Sequence, residues 1–218
     1  MTRLTKILIT GTALTILPLS LAFADGSTNG TGSNVLNGQI DFQVTSSNLN
    51  TNISTVNGSV ANTSSAVGNN LEVVTMDNTV VTNNQYVSGV SISADQTANV
   101  NAVAGTVNLQ SQAICNAADV STDPHTTSVT SDQECQASDP SALLNAKVVN
   151  AGDDTTLASQ AVGNSFSMDT NAAYMPVQNQ QLNNAATAST VNSTVKNVNG
   201  NVTVNSTAIG NNAQIVQY

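Results

Sequence analysis

Four copies of one short step recur along this chain at nearly constant spacing. Ser64-Ser65-Ala66-Val67-Gly68-Asn69 returns as Ser111-Gln112-Ala113-Ile114-Cys115-Asn116, as Ser159-Gln160-Ala161-Val162-Gly163-Asn164 and as Ser206-Thr207-Ala208-Ile209-Gly210-Asn211. The alanines stand 47, 48 and 47 residues apart. Two more landmarks keep step with them. Gly58, Gly105, Gly152 and Gly200 precede the alanines by eight, eight, nine and eight residues, and Gln39, Gln85, Gln133 and Gln181 precede those glycines by 19, 20, 19 and 19. A fixed period has a physical meaning: stacked units bury a continuous core only if each returns the chain to the same place. The chain is therefore expected to be a repeat array of about four units.

The local pattern within a unit is that of strands. Ile40, Phe42 and Val44 alternate with polar residues, as do Val90, Ile92 and Ala94, and Val202 and Val204 beyond the turn at Gly200. Composition agrees, because Val and Thr favour strands and Asn and Gly favour turns. Only 8% of residues are charged and 3% aromatic, which leaves too little Glu, Lys and Arg for long amphipathic helices. The fold class expected is all-β, a β-solenoid of about four 47-residue repeats, with an antiparallel β-sandwich as the alternative. Each unit reads as two turns with short strands separated by corners. The corners fall at Gly68-Asn69, Asn116, Gly163-Asn164 and Gly210-Asn211, so that repeat motifs end near 69, 116, 164 and 211. Glycine there would take positive φ without a Cβ clash, and stacked asparagines would form amide ladders.

The first 24 residues read as a secretory leader: Arg3 and Lys6, an apolar run from Ile7 to Leu21, then Ala22-Phe23-Ala24 ahead of the polar Asp25-Gly26-Ser27. Residues 25–218 form the repeat domain. In it Lys147 and Lys196 are the only basic side chains against 13 acidic ones, a net formal charge of −11. So few cations cannot neutralise phosphates, which argues against nucleic acid and against an anionic membrane surface as partners.

Cys115 and Cys135 are the only cysteines, and in an exported chain they read as one disulfide, with pairing between two chains left open as the alternative. The span between them carries Asp119, Asp123, Pro124, His125, Asp132 and Glu134, which breaks the Val/Asn pattern. It is expected to be an irregular loop over 117–140, clipped at its base. The acidic residues lack the spacing of calcium-binding β-rolls and the cysteines lack zinc spacing, so neither metal nor cofactor is expected. Solenoid lyases and hydrolases need basic or paired acidic groups on one face; two lysines and one histidine make enzymatic activity an unfavoured reading.

Small side chains such as Ala, Val and Thr bury modest apolar area, so ladders between turns must stabilise much of the fold. Such an array gains from added turns, including turns of another molecule. Nothing charged or proline-rich guards the last copy. The expected assembly edge comprises Val202, Val204, Ile209, Ala213, Ile215 and Gln217.

The segment Gly210-Asn211-Asn212-Ala213-Gln214-Ile215-Val216-Gln217-Tyr218 resembles the closing segment of curlin subunits. Their repeats carry glycine and then Asn-x-Ala-x-Val-x-Gln, and Asn211, Ala213, Ile215 and Gln217 fall into that register. The recurring Ala-[Val/Ile]-Gly-Asn step and the roughly doubled period look like the curlin-related holdfast anchor proteins of stalked bacteria. The resemblance implies export across the outer membrane by secretion machinery, β-stacked assembly with itself or with related fibre or anchor subunits at the cell surface, and a role in attachment or biofilm formation. Surface polysaccharide is a further candidate partner. The alternative function is a monomeric secreted module that binds a glycan or protein through the Cys115–Cys135 loop.

Overall fold

The computed structural model describes residues 10–11, 23–24, 33–75, 79–89, 91–122, 128–136, 139–172 and 174–218. Most of the expected leader, and also Val90, Asp123, Pro124 and His125, lie outside the described residues. After two short strands, β1 (Thr10–Gly11) and β2 (Phe23–Ala24), the chain runs four times around the same three-sided path. The first turn is β3 (Ser33–Asp41), β4 (Thr45–Val56) and β5 (Val60–Thr75). The second is β6 (Thr79–Ser88), β7 (Ile92–Val103) and β8 (Val107–Thr122). The third is β9 (Ser128–Gln136), β10 (Ser141–Ala151) and β11 (Thr155–Thr170), and the fourth β12 (Val177–Asn183), β13 (Ala188–Val198) and β14 (Val202–Gln217).

Equivalent strands of successive turns stack in parallel, giving three sheets: β3-β6-β9-β12, β4-β7-β10-β13 and β5-β8-β11-β14. This is a β-solenoid, and the parallel pairing rules out the sandwich alternative. Ala66, Ala113, Ala161 and Ala208 stand in one register column, each paired with the next. One correction concerns the turn count. Strand partners lie one whole repeat apart, as in Val60↔Val107, so a 47-residue unit is one turn of three strands and not two turns. The strands of the third sheet are 16 residues long, which accounts for the greater length of a turn.

That length also corrects the reading of Gly68, Asn69, Asn116, Gly163, Asn164, Gly210 and Asn211 as corners between short strands. All seven lie inside continuous strands of the third sheet. Among the described residues the only positive-φ glycine is Gly89. The positive-φ positions that recur once per turn are Thr55, Ala102, Asn150 and Asn197, just before the turns at Gly58, Gly105, Gly152 and Gly200. What happens at the Gly-Asn step is a change of phase. Side chains point inward at Ser64 and Ala66, and then Gly68 and Asn69 are buried in succession before Val73 faces in. The strand thereby bends round two packing partners without ending.

The core divides accordingly. Val100, Leu109, Leu144, Val148 and Leu157 fill the space between the second sheet and the first half of the third. Val73, Val81, Val120, Phe166 and Met168 fill that between the first sheet and the second half of the third. Where all three sheets converge, the residues are small: Ala66, Ala94, Ala113, Ala142 and Ala161, with Val87, Ile92, Cys115 and Cys135. Here lies a second correction. Much of the span 117–140, expected to be an irregular loop, is strand: β8 continues to Thr122 and β9 occupies Ser128–Gln136. Asp119 and Asp132 are exposed on these strands, on the face opposite the buried Val120 and Gln133. Outward columns tolerate charge without disturbing the ladder, which is why they resembled a loop in the sequence.

Candidate assembly site: two amide ladders and an open end

The asparagines of the recurring step form one continuous ladder. The Nδ2 of Asn69 donates to Oδ1 of Asn116 at 2.9 Å, Asn116 to Asn164 at 2.8 Å and Asn164 to Asn211 at 2.8 Å. The second N–H of each amide crosses to the first sheet of the following turn, reaching the carbonyls of Tyr86, Glu134 and Leu182 at 3.0, 3.0 and 2.9 Å. Asn69, Asn116 and Asn164 are fully buried, so each would destabilise the core if either N–H lacked an acceptor.

The glutamine landmarks form a second ladder that runs the other way. Nε2 of Gln85 donates to Oε1 of Gln39 at 2.9 Å, Gln133 to Gln85 at 2.8 Å and Gln181 to Gln133 at 2.8 Å. Their second N–H groups cross back to the third sheet, to the carbonyls of Ala117, Ser165 and Asn212, each at 2.9 Å, while Gln39 reaches that of Asn70 at 2.8 Å. Because a carbonyl only accepts, these cross-links fix which end of every amide carries the nitrogen. The paired sheets are thus laced in both directions. The sequence disclosed the spacing of the glutamines but not their role; the signal available was that the same amide residue type recurred at one phase of every unit.

At the end formed by the fourth turn, the ladders and the core are both incomplete among the described residues. In the column Leu109–Leu157–Val204 the first two are 0% exposed and Val204 is 50% exposed. In the column Val120–Met168–Ile215 the first two are 0% exposed and Ile215 is 51% exposed. Val202, Ala213 and Gln217 are likewise exposed, and Ile209 is half-buried. The six residues expected to form an assembly edge therefore all lie on β14, the outermost strand of the third sheet.

Cys115 and Cys135 form a disulfide with a Cα–Cα distance of 6.1 Å. It lies in the central core, both residues being fully buried, and joins the third sheet to the first; it does not clip the base of a surface loop. Equivalent positions in other turns explain its fit. A Cβ on Gly68 would stand 3.2 Å from the Val87 side chain, and one on Gly163 would stand 2.7 Å from that of Asn183. Val87, Cys135 and Asn183 share a column, as do Gly68, Cys115 and Gly163. The three gaps between successive turns are therefore filled twice with a larger side chain facing glycine and once with two sulfurs. No group of three or more His, Cys, Asp or Glu able to hold a metal occurs among the described residues.

A parallel three-sided β-solenoid with a laced core and a disulfide suited to an oxidising compartment defines the class as extracytoplasmic β-solenoid repeat proteins. The family model for holdfast attachment protein D matches residues 43–218, and the chain belongs to that family. Membership gives it a role in attachment and a place at the cell surface. The likeness to curlin subunits is not matched by a family model. No curated protein and no solved structure matches the chain.

Proposed function

We propose that this chain is a non-catalytic, exported structural subunit that anchors cells by stacking end on end, with its own copies or with related surface subunits in the manner of curlin repeats. The carrying observation is the contrast within single columns between buried Leu157 and Met168 and half-exposed Val204 and Ile215. An unfinished apolar core of this kind gains free energy from another turn laid upon it. Export through a leader over residues 1–24 and passage by outer-membrane secretion machinery fit the same role, as does participation in biofilm formation.

Surface polysaccharide is a partner on this reading. Lys147 and Lys196 both lie on the exposed face of the second sheet, among Asn52, Asn99, Asn101, Asn145 and Asn192. Flat rows of amides and two cations suit hydrogen bonding to a polar polymer. Electron microscopy of the exported protein after slow concentration tests the main proposal. Filaments or stacked particles are the expected result, and a chain that stays monodisperse at high concentration overturns it.

A further inference from the structure

The two amide ladders are directional, and their directions are opposed. Within these two ladders, and among the described residues, each end of the solenoid is left with one spare donor and one spare acceptor. At the first turn Oδ1 of Asn69 is buried without a hydrogen-bond partner, and Gln39 is the one glutamine of its ladder that donates only once, to Asn70. At the fourth turn the relation is reversed. Gln181 donates to Gln133 and to the Asn212 carbonyl, and among the described residues no glutamine of a further turn donates to its Oε1. Asn211 has no next-turn carbonyl among the described residues and turns instead to that of Gln181 at 3.3 Å. Its three counterparts reach forward to Tyr86, Glu134 and Leu182, a column whose first-turn member is Ile40.

We infer that copies of this chain join head to tail, the fourth turn of one receiving the first turn of the next. Asn211 then donates to Oδ1 of Asn69 and to the carbonyl of Ile40 in the second copy, while that copy's Gln39 donates to Oε1 of Gln181. The inference rests on the stacking proposed above and specifies its polarity. Each spare group of the two ladders finds its complement in this arrangement. Tail-to-tail or head-to-head contact reverses strand direction at the junction, so the parallel columns that set Asn211 over Asn69 and Gln39 over Gln181 do not continue across it. A buried amide left unpaired costs enough to select among these modes. The same junction lays β3, β4 and β5 upon β12, β13 and β14, where Val204 and Ile215 await cover. In the full chain β2 pairs with the edge of β3 and β1 with that of β4. Both come from the first 24 residues, so loss of the expected leader frees those edges for the junction.

Cysteine cross-linking reads the polarity. Ala61, Asn108, Thr156 and Thr203 form one column, and Ala61 and Thr203 are both exposed. A head-to-tail junction brings Thr203 of one copy beside Ala61 of the next, at an inter-strand distance of about 4.8 Å, which is within disulfide reach. Chains carrying Ala61→Cys or Thr203→Cys, recovered from the cell surface after export, would be treated with a thiol oxidant separately and after mixing. Covalent dimers are expected in the mixture and in neither population alone. Asn211→Asp in the Thr203→Cys chain replaces the donor by an acceptor and is expected to lower the dimer yield about tenfold. Dimers in the Thr203→Cys population alone, or an Asn211→Asp variant that cross-links unchanged, overturn the polarity. Filaments without any cross-link overturn it too, yet leave stacking intact. A chain that never associates removes both proposals.

Discussion

The Nδ2 of Asn116 lies 2.8 Å from Oδ1 of Asn164, one turn further along the solenoid, and neither side chain touches solvent. Asn116 makes three such bonds, donating also to the Glu134 carbonyl and accepting from Asn69. Asn116→Ala leaves a buried donor and two buried acceptors without partners. At roughly 1–3 kcal/mol for an unsatisfied buried group, with partial relaxation, the expected loss is about 3 kcal/mol. Asn211→Ala, on the exposed turn, is expected to cost less than about 1 kcal/mol. Denaturant midpoints of the two variants against the parent check the difference; equal losses would mean that burial of the ladder contributes nothing.

Gln96 is the counter-example inside the same core. It is fully buried, and neither its Nε2 nor its Oε1 has a hydrogen-bond partner. Its column neighbours are Leu49 and Leu144, followed by Val191. An orphaned amide between leucines costs desolvation with nothing to offset it. Gln96→Leu is therefore expected to stabilise the protein by about 1–3 kcal/mol, visible as a higher thermal midpoint. A lower midpoint would show that the amide is held by an interaction the surrounding leucines do not reveal.

Much of this arrangement is legible in the amino-acid sequence. The alanine column and the all-β class follow from spacing and strand periodicity, because a solenoid writes its period directly into the chain; the disulfide follows from two lone cysteines in a chain read as exported. Asn69, Asn116, Asn164 and Asn211 were legible as a ladder, but not as residues within a strand. Glycine followed by asparagine is the ordinary signature of a turn, and only the packing partners on either side show that the strand bends and continues. Gln39, Gln85, Gln133 and Gln181 gave their positions and concealed their function. The bonds they make to Asn70, Ala117, Ser165 and Asn212 span 31 or 32 residues, and nothing local signals contacts so distant. Asp119 and Asp132 misled for the opposite reason, since outward positions carry almost no information about the fold.

The disulfide offers a test that separates covalent linkage from packing. Cys115 and Cys135 close a span of 20 residues, for which the chain-entropy model gives roughly 3 kcal/mol. Replacing them by Gly and Val copies the Gly68–Val87 arrangement of the preceding turns and restores the volume. The double variant Cys115→Gly, Cys135→Val is expected to lose about that amount and no more. Cys135→Ser alone, which leaves a hydroxyl and an unpaired thiol in the apolar centre, is expected to lose more. Chemical denaturation under oxidising conditions distinguishes them, and a double variant as unstable as the single would assign the disulfide's contribution to packing.

Glycine serves two different purposes in this chain, and a pair of alanine substitutions tells them apart. At Gly163 an added Cβ would collide with the backbone oxygen of Gly210 in the next turn and stand 2.7 Å from the Asn183 side chain. The strand cannot retreat, because Val162 and Asn164 on either side are paired with Ile209 and Asn211 and Asn164 is held in its ladder. Gly163→Ala must therefore force the third and fourth turns apart or displace Asn183, an overpacking of the kind that costs about 1–3 kcal/mol. Gly38 sits in β3 at the first turn, where an added Cβ meets nothing within 4 Å. With no clash in the strand and less freedom in the unfolded chain, Gly38→Ala is expected to be neutral or stabilising by up to about 1 kcal/mol. The same denaturation curves read both. A Gly163→Ala variant as stable as the parent would show that the turns stack with slack to spare, and the tight register on which the ladders depend would have to be abandoned.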